Sequence, residues 1–566
     1  MGRLQAPGSV RDRQCDPDHR RRQERPCPAV GWEGYVTTWN LAVPEIPAER
    51  AERYRAAGLW SSSTITGLVR EAAVRVPGKP AAVDQHRSLD YAGLWQRCLA
   101  VAGRLRGEGI AAGQTVVLYL PNSVSWLECF LGLVQCGALP VMATESLRAR
   151  ELIEIIEASR ADHVVTVADD GRFPSLHRAV HDAIGLLPAC GPSPVVHEVE
   201  VPGGLAVDAA DAESGEALHQ MLPSDPALVQ LGGARCAACL LIGRTHEDYL
   251  CSVELSNRRC GVGPDTVMLI GIPASHNFAM ASPGVLGALM AHGTVVFAPD
   301  PSPSTCVPLV HAHGCTHIPL VPSLLGLWSE EAGRDPEPLR SLRMVLVGGA
   351  PLDLDLAAAA QTRFGAHVQE VFGTAEGLVA YSPLEMDRVL EPRAHRLVPL
   401  SEQDEILLSR VVAPDGTEGQ ELLSRGPYTV PSFIDDPPQA AGVFDSVGWY
   451  HSGDLVEIER AAGPAGPLEF RVVGRCKAQI NRAGEKIFPG YVETLLEEHP
   501  QIRHASVEGV AHPVLGQAIK ATIHLVPDEE GGWLRPLALR RYLHEKSVAG
   551  HCVPDTFDLI RDEDQV

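Results

Sequence analysis

The sequence predicts an α/β protein whose sheets are mainly parallel and covered by helices. Short apolar runs rich in β-branched residues alternate with segments of helical length, and they lie at 115–120, 163–167, 267–272, 294–297 and 344–347. Each run is continuous and bounded by Gly, Pro or Asp, which is typical of a strand buried on both faces. Alternation of strands and helices favours parallel sheets. A length of 566 residues exceeds one ordinary core, so we expect at least two domains.

The segment before the first strand is predicted to be unfolded. Residues 1–33 are rich in Arg and Pro and contain no apolar stretch, which excludes a secretory signal peptide. This composition indicates a disordered leader or a start codon placed too far upstream.

Helices are predicted between the strands, for example over 124–136 and 282–292. Ser282 followed by Pro283 fits the cap and the first position of the second of these helices. The same pair therefore has a complete structural explanation without any function.

The pattern changes near residue 400. Segments 405–409 and 421–424 flank a Pro-Asp-Gly turn, which predicts a small antiparallel sheet. After Gly474, a short strand, a helix over 491–499 and strands over 505–510 and 518–526 predict a small α+β domain.

The predicted architecture is therefore a large N-terminal domain and a small C-terminal one. The large domain, 34–474, consists of two parallel α/β subdomains and a small antiparallel β subdomain. A hinge at 475–477 leads into a mobile α+β domain over 478–566.

Composition excludes several classes of function. A formal charge of −23 argues against nucleic-acid binding, which needs a basic face. No apolar run of about 18 residues occurs, so a membrane span is not expected. The 14 cysteines are scattered, as in the reducing cytoplasm, and Cys236 and Cys239 have no second pair at zinc-site spacing.

Three polar segments carry candidate chemistry. Segment 372–378 follows an apolar run and is predicted to open a helix capped by Thr374, where Glu376 could bind Mg²⁺ or be an ordinary first-turn acid. His276 and Asn277 follow a predicted strand, where α/β sheets bind ligands, although simple exposure in a loop fits equally well. Asp454 follows a glycine turn and could accept both hydroxyls of a ribose or form an Asx turn.

The order and spacing of these segments resemble a known superfamily. Segments 276–284, 372–378, 450–455 and 474–486 are similar to successive motifs of the adenylate-forming enzymes, which include acyl-CoA synthetases, luciferases and nonribosomal adenylation domains. The chain is most similar to the stand-alone aryl-acid AMP ligases that activate 2,3-dihydroxybenzoate or salicylate. The resemblance runs from about residue 34 to the C-terminus and implies this fold, ATP with Mg²⁺, a hydroxy-aromatic acid as substrate, and membership of siderophore or nonribosomal peptide biosynthesis. The acceptor would be coenzyme A or the phosphopantetheine of an aryl carrier protein.

The resemblance also implies a role for each matching residue. The nucleotide would be held by Gly348, Gly349, Ala350, Phe372, Gly373, Thr374, Asp454, Arg475 and Lys486, with Asp454 at the ribose. The aryl acid would be bound by His276, Asn277, Phe278, Ser282, Gly348 and Gly373, with Asn277 at its ortho hydroxyl. The catalytic set would be His276 as gate, Glu376 as Mg²⁺ ligand, Arg475 at the ribose or phosphate and Lys477 as the pivot of the small domain.

Two departures from the family pattern predict impaired adenylation. The phosphate loop reads Ser-Gly-Gly-Thr-Thr-Gly-x-Pro-Lys in the family, but Gly232-Gly233-Ala-Arg235-Cys-Ala-Ala-Cys-Leu240 here, which removes the hydroxyls and the Lys. The chain also ends at Val566, before the position of the family's C-terminal catalytic Lys. Two alternatives therefore stay open: a pseudo-ligase that binds an aryl acid or aryl adenylate, and an ATP-independent acyl-transfer enzyme with His276 as base.

Overall fold

The computed structural model describes most of the chain in several stretches. These are residues 39–188, 193–216, 218, 221–232, 240–384, 396–412, 418–437, 440–460, 468–476, 479–512, 514–527 and 532–561. The predicted leader, the phosphate-loop residues Gly233 and Arg235, the Cys236 and Cys239 pair, and the predicted pivot Lys477 lie outside them.

The strands follow the apolar runs of the sequence. In chain order they are β1 (Pro80–Val83), β2 (Ser88–Asp90), β3 (Thr115–Tyr119), β4 (Leu139–Met142), β5 (His163–Val167), β6 (Val195–Val199), β7 (Pro226–Leu231), β8 (Leu241–Thr245), β9 (Val267–Ile270), β10 (Thr294–Phe297), β11 (His317–Leu320), β12 (Met344–Gly348), β13 (His367–Gly373), β14 (Val379–Tyr381), β15 (Val398–Pro399), β16 (Glu405–Val412), β17 (Glu418–Arg425), β18 (Tyr450–Arg460), β19 (Leu468–Arg475), β20 (Ile480–Arg482), β21 (Glu485–Ile487), β22 (Ile502–His512), β23 (Gly516–Leu525) and β24 (Thr556–Arg561).

The helices lie between them. They are α1 (Ala48–Ala56), α2 (Ile65–Arg75), α3 (Tyr91–Gly107), α4 (Val124–Gln135), α5 (Ala149–Ser159), α6 (Pro174–Leu186), α7 (Ala209–Glu216), α8 (His246–Cys260), α9 (Asn277–Ala281), α10 (Gly284–Met290), α11 (Pro303–His313), α12 (Pro322–Arg334), α13 (Leu354–Phe364), α14 (Pro489–Glu497) and α15 (Pro536–Glu545).

Two sheets with parallel centres form the main body. One has nine strands in the order β15-β14-β13-β12-β11-β9-β10-β1-β2, and its central neighbours from β13 to β1 run parallel. The other has six, β6-β5-β3-β4-β7-β8, with only β7 and β8 antiparallel. The central strands are wholly buried because helices cover both faces. The predicted pair of parallel α/β subdomains is confirmed.

Asn122, at the end of β3, joins the two parallel sheets. Its Nδ2 lies 3.0 Å from Ile272 O and 3.2 Å from Ala298 O, and its Oδ1 accepts a hydrogen bond from Ala274 N at 2.7 Å. The side chain is buried, so these backbone groups supply the hydrogen bonds that water would otherwise make to the amide nitrogen and oxygen. The segment that leads to His276 is therefore tied to both sheets.

The small antiparallel sheet is also confirmed. It contains β16, β17, β18 and β19 in that order, and β16 pairs with β17 from Glu405 opposite Arg425 to Val412 opposite Glu418. The last rung between β18 and β19 pairs Asp454 with Arg475.

The C-terminal part forms a separate five-stranded sheet with α14 and α15, which confirms the α+β prediction. β24 runs parallel to β23, while the other pairs are antiparallel. The hinge at 475–477, the domain boundaries and the mobility of this part stay predictions. No helix among the described residues is long and apolar enough to cross a membrane.

Two local predictions were wrong. Segment 372–378 does not open a helix: β13 runs through Gly373, a turn follows, and β14 pairs antiparallel with β13. Thr374 Oγ1 accepts from Gly377 N at 3.2 Å, so its hydroxyl closes the turn. Ser282 does not cap α10 either; it ends α9, and Pro283 stands at the start of α10 without a side-chain cap.

Candidate active site

A cleft of about 220 Å³ lies where all four sheets meet. Lining residues between His276 and Ser282 follow β9, Gly348 ends β12 and is followed by Gly349, and Gly373 ends β13 and is followed by the turn to Glu376, so three segments come from the carboxyl ends of strands in one sheet. Open α/β sheets bind ligands at this edge. The six-stranded sheet adds Gln230, Leu231, Gly232 and Leu240; the antiparallel sheet adds Tyr450, Ser452 and Arg475; and the C-terminal sheet adds Glu485 and Lys486.

Asn277, on one wall of the cleft, is held by a chain of hydrogen bonds. Tyr249 on α8 donates from its hydroxyl to Asn277 Oδ1 at 2.8 Å, and Gln230 Nε2 donates to the same hydroxyl at 3.2 Å. Because Asn277 Oδ1 is already an acceptor, its amide nitrogen remains as the donor that a ligand oxygen can use.

His276 caps α9 and faces the cleft. Its Nδ1 accepts from Phe278 N at 3.2 Å, so the neutral ring carries its proton on Nε2. Desolvation lowers the pKa of His276, the charge of Lys486 lowers it further, and the carboxylate of Glu485 opposes both. The ring is therefore suited to donating a hydrogen bond from Nε2, and its Nδ1 lone pair is engaged, which disfavours His276 as a general base.

Phe278, Ser282, Gly348 and Gly373 line the same cleft, and their role in binding an aryl acid stays a prediction. A Cβ atom at Gly348 would lie 2.9 Å from Val371 O and 3.3 Å from Phe278 Cζ. Any side chain at this position would therefore collide with Val371 or Phe278, so the close packing of this wall requires glycine.

Glu376 lies on the turn after β13, against the start of the predicted phosphate loop. Its Oε1 is 3.4 Å from the place that a Cβ would take on Gly232, and Gly232 N donates to Leu240 O at 2.8 Å. The turn is held by Arg244, whose guanidinium donates to Ala375 O at 3.0 Å and pairs with Asp248 at 2.9 Å in a buried position. The Glu376 carboxylate thus lies against Gly232, the described residue that precedes residues 233–239.

Four charged side chains face one another beside this turn. Arg475 Nη1 lies 3.3 Å from Asp454 Oδ1, and Arg475 also donates to Ser452 O. Burial raises the pKa of Asp454, opposed by Arg475 and Lys486. Desolvation and Arg475 lower the pKa of Lys486, while Glu376 and Asp454 raise it. Within the described stretches Lys486 has no ion pair, so its charge is available to an anionic ligand.

Three predicted nucleotide residues do not line the cleft. The ring of Phe372 packs edge-on against Phe470 at 5.5 Å, on the face of β13 that turns towards the antiparallel sheet. Ala350 lies outside the lining, and Asp454 is buried behind Arg475. Gly349 and Thr374 do line it. Phe372 is therefore a packing residue in this arrangement of the chain.

The C-terminal sheet closes one side of the cleft through specific contacts. Asn481 Nδ2 donates to Gly349 O at 2.6 Å, and Ser146 Oγ donates to Glu485 at 3.3 Å. On α5, the buried Glu151 accepts from Tyr491 hydroxyl at 3.2 Å and from Ala549 N at 2.9 Å. The hairpin of β20 and β21 is thereby held with Lys486 in the cleft.

Sequence reasoning missed Tyr249, Arg244, Glu485 and Glu151. Tyr249 on α8 and Arg244 on β8 contact residues brought close only by the fold, and no local pattern distinguishes them from their neighbours in the sequence. Glu485 lies inside a recognised segment, so its neighbour Lys486 could have pointed to it.

The described residues fit a magnesium nucleotide. Glu376 offers the oxygen ligand that Mg²⁺ prefers, and Arg475 and Lys486 offer positive charge to phosphates. The chain's own phosphate loop adds no hydroxyl or Lys, because residues 233–239 contain only Gly, Ala, Arg and Cys.

Comparison with known proteins decides the family. A family model described as AMP-binding enzyme matches residues 69–433, which is more than half of the chain. The chain belongs to the AMP-binding enzyme family. Members generally use ATP and Mg²⁺, in agreement with the coarser part of the cofactor prediction.

Relatives of this AMP-binding enzyme are aryl-acid AMP ligases. It is 35% identical over 548 residues to the salicyl-AMP ligase / salicyl-S-ArCP synthetase of Mycobacterium tuberculosis, covering 94% of the chain and 92% of that protein. It is 32% identical over 520 residues to the 2,3-dihydroxybenzoate-AMP ligase of Bacillus subtilis, covering 91% and 93%. The apo structure of MbtA from Mycobacterium smegmatis superposes with a TM-score of 0.64 at 32% identity, covering 92% of this chain and 95% of that one. The resemblance to this group and the assignment to ligases are confirmed.

Proposed function

We propose that this AMP-binding enzyme activates a hydroxy-aromatic carboxylic acid as its acyl adenylate and passes the acyl group to a thiol. The thiol would belong to an aryl carrier protein or to coenzyme A, in siderophore or nonribosomal peptide biosynthesis. One observation carries the proposal. A chain of hydrogen bonds from Gln230 to Tyr249 and on to Asn277 ends in the cleft, which the charged residues Glu376, Arg475 and Lys486 also line.

The acid would lie in the cleft alongside Phe278 and Gly348. Asn277 would donate from Nδ2 to a ring hydroxyl ortho to the carboxylate, since Tyr249 already fixes the other end of its amide. The Nε2–H of His276 would donate to the carboxylate and gate its entry. Ser282, buried at the end of α9, supplies a further hydroxyl to this wall.

ATP would supply the adenylyl group that activates the carboxylate. Asp454 would accept from the ribose, Arg475 would hold both Asp454 and a phosphate oxygen, and Glu376 would bind Mg²⁺. Lys486 would offset charge on the phosphates from the C-terminal side. Residue Lys477 is proposed as the pivot that lets the C-terminal sheet leave this position.

We further propose that adenylation is slow. Hydroxyl and amide donors of the phosphate loop stabilise charge on the leaving phosphates, and losing one such donor typically costs about 10² to 10³ in rate. Ala and Cys in residues 234–239 offer no replacement, and Arg235 restores one positive charge.

The test is aryl-acid-dependent exchange of labelled pyrophosphate into ATP. Salicylate, 2,3-dihydroxybenzoate, 3-hydroxyanthranilate and 3-hydroxypicolinate are the acids to compare, with benzoate as the acid that lacks the ortho hydroxyl. Glu376→Gln should abolish exchange, and Glu71→Gln, at an exposed position, should leave it unchanged. Equal exchange with benzoate and salicylate would contradict the role of Asn277.

The rewritten loop favours a second candidate, a pseudo-ligase that binds an aryl acid without activating it. Titration calorimetry separates the two. Two results together would establish the pseudo-ligase and overturn the ligase proposal. The wild-type protein would bind salicylate more tightly than Asn277→Ala does, and it would exchange pyrophosphate no faster than Glu376→Gln.

A further inference from the structure

A cluster of two histidines and one glutamate lies at the edge of the six-stranded sheet, away from the cleft. His177 and His181 are one turn apart on α6, and Glu198 lies on the edge strand β6. None of the three lines the cleft. They are the one group of three or more His, Cys, Asp or Glu side chains in the described stretches whose ligand atoms all lie within 4.8 Å of one another.

The three side chains converge on a single carboxylate oxygen. His177 Nε2 is 3.0 Å and His181 Nε2 is 3.3 Å from Glu198 Oε1. The two rings face each other with centroids 4.3 Å apart and planes inclined by 39°. Both imidazoles therefore present the same nitrogen to the same point.

The distances from each histidine nitrogen to the Glu198 oxygen are close to those between two ligand atoms of one metal ion. With Zn–N and Zn–O bonds of about 2.0 to 2.2 Å, two ligands of a tetrahedral Zn²⁺ lie roughly 3.3 to 3.5 Å apart. The observed 3.0 and 3.3 Å need only a few tenths of an ångström of adjustment. Histidines at i and i+4 are also the spacing by which one helix face supplies two zinc ligands.

The ligand set and its exposure select the kind of ion. Imidazole nitrogens suit Zn²⁺, Cu²⁺ and Ni²⁺, whereas Mg²⁺ and Ca²⁺ prefer oxygen ligands. The side chains of His181 and Glu198 are 47% and 41% exposed, so an ion can enter without any movement of the backbone. The net charge of −23 favours accumulation of cations at the surface.

We propose that His177, His181 and Glu198 bind a divalent transition-metal ion, with Zn²⁺ the best fit and water in the remaining position. The ion would join α6 to β6. Because β6 lies at the edge of its sheet and pairs with β5 alone among the described strands, this link would hold the outermost strand against its covering helix. The role is structural, since no residue of the cleft takes part.

The experiment is titration calorimetry of the full chain, without an affinity tag and after chelation, with Zn²⁺ and then with Mg²⁺. Wild type should bind one Zn²⁺ with a dissociation constant in the micromolar range or tighter, and Mg²⁺ should not compete. His177→Ala and His181→Ala should each weaken binding by roughly 100-fold or more, because loss of even an outer-shell partner costs about 10- to 100-fold. Glu198→Gln should weaken it less.

His311→Ala is the matched control, since His311 is an exposed histidine in the last turn of α11. It should retain wild-type affinity and stoichiometry. Cobalt(II) should give the visible absorption of a tetrahedral site in wild type and in His311→Ala, and not in His177→Ala. Absence of binding, or equal binding by wild type and the His177, His181 and Glu198 variants, would overturn the proposal and leave the three side chains as a hydrogen-bonded group.

Discussion

Arg244→Met is the substitution that tests how the Glu376 turn is held in place. Arg244 is 2% exposed; its Nε lies 2.9 Å from Asp248 Oδ1, and its terminal nitrogens donate to Ala375 O and Tyr428 O, both at 3.0 Å. Methionine keeps most of the side-chain volume and removes the charge and all three interactions.

Removing one partner of a buried ion pair costs about 3 to 5 kcal/mol, because the remaining charge has no compensation. We expect the free energy of unfolding to fall by about 4 kcal/mol near neutral pH. Burial already raises the pKa of Asp248, and Arg244 opposes this. An acid whose folded-state pKa exceeds its unfolded value costs stability as the pH rises through the range between the two values, so the deficit of Arg244→Met should shrink as the pH falls below neutrality.

The assay is urea unfolding followed by the fluorescence of the buried Trp126 and Trp328. Arg258→Met is the control, because Arg258 pairs with Glu254 on the same helix but is 69% exposed, and it should cost less than about 0.5 kcal/mol. A double-mutant cycle with Asp248→Asn should show coupling between the two side chains. A cost for Arg244→Met below about 1 kcal/mol, or no coupling, would refute the reasoning.

Three further predictions follow from single contacts. Tyr249→Phe should weaken binding of salicylate by about tenfold, measured by calorimetry, because Asn277 loses the donor that orients it; unchanged affinity would contradict this. Glu151→Ala should raise the hydrogen-exchange rate of the Ala549 amide by about tenfold, since that amide donates to Glu151; an unchanged rate would show that other contacts hold the C-terminal sheet. Burial raises the pKa of Asp404 to about 7, so wild-type stability should fall as pH rises from about 4 to 7, and Asp404→Asn should lose that part of the pH dependence in urea titrations.

The strands of the main body could be predicted because burial on both faces demands continuous apolar runs. β3, β5, β9 and β10 fall within the predicted segments, and β12 extends one residue beyond its own. Several residues that line the cleft could also be found from the sequence. Asn277, Glu376 and Lys486 lie in segments whose order resembles that of a known family.

The error at 372–378 has a physical cause. Thr374 Oγ1 accepts from the amide of Gly377, three residues on, which is also the bond that an N-cap makes at the start of a helix. Local chemistry is the same in both cases, and only the pairing of β13 with β14 decides in favour of a turn. Contacts such as Glu151 with Tyr491 span 340 positions, so no local pattern could indicate them.

Asn122 limits how the sequence of this protein can change. Its amide nitrogen donates a hydrogen bond to Ile272 O, beyond β9 of the nine-stranded sheet, and its amide oxygen accepts one from Ala274 N. The side chain is buried. Asp keeps the shape but has no donor when ionised, Leu has neither group, and Gln is one methylene longer in a packed site. Among homologues that keep both sheets in this arrangement, we therefore expect almost no variation at this position, although Asn122 does not line the cleft described above.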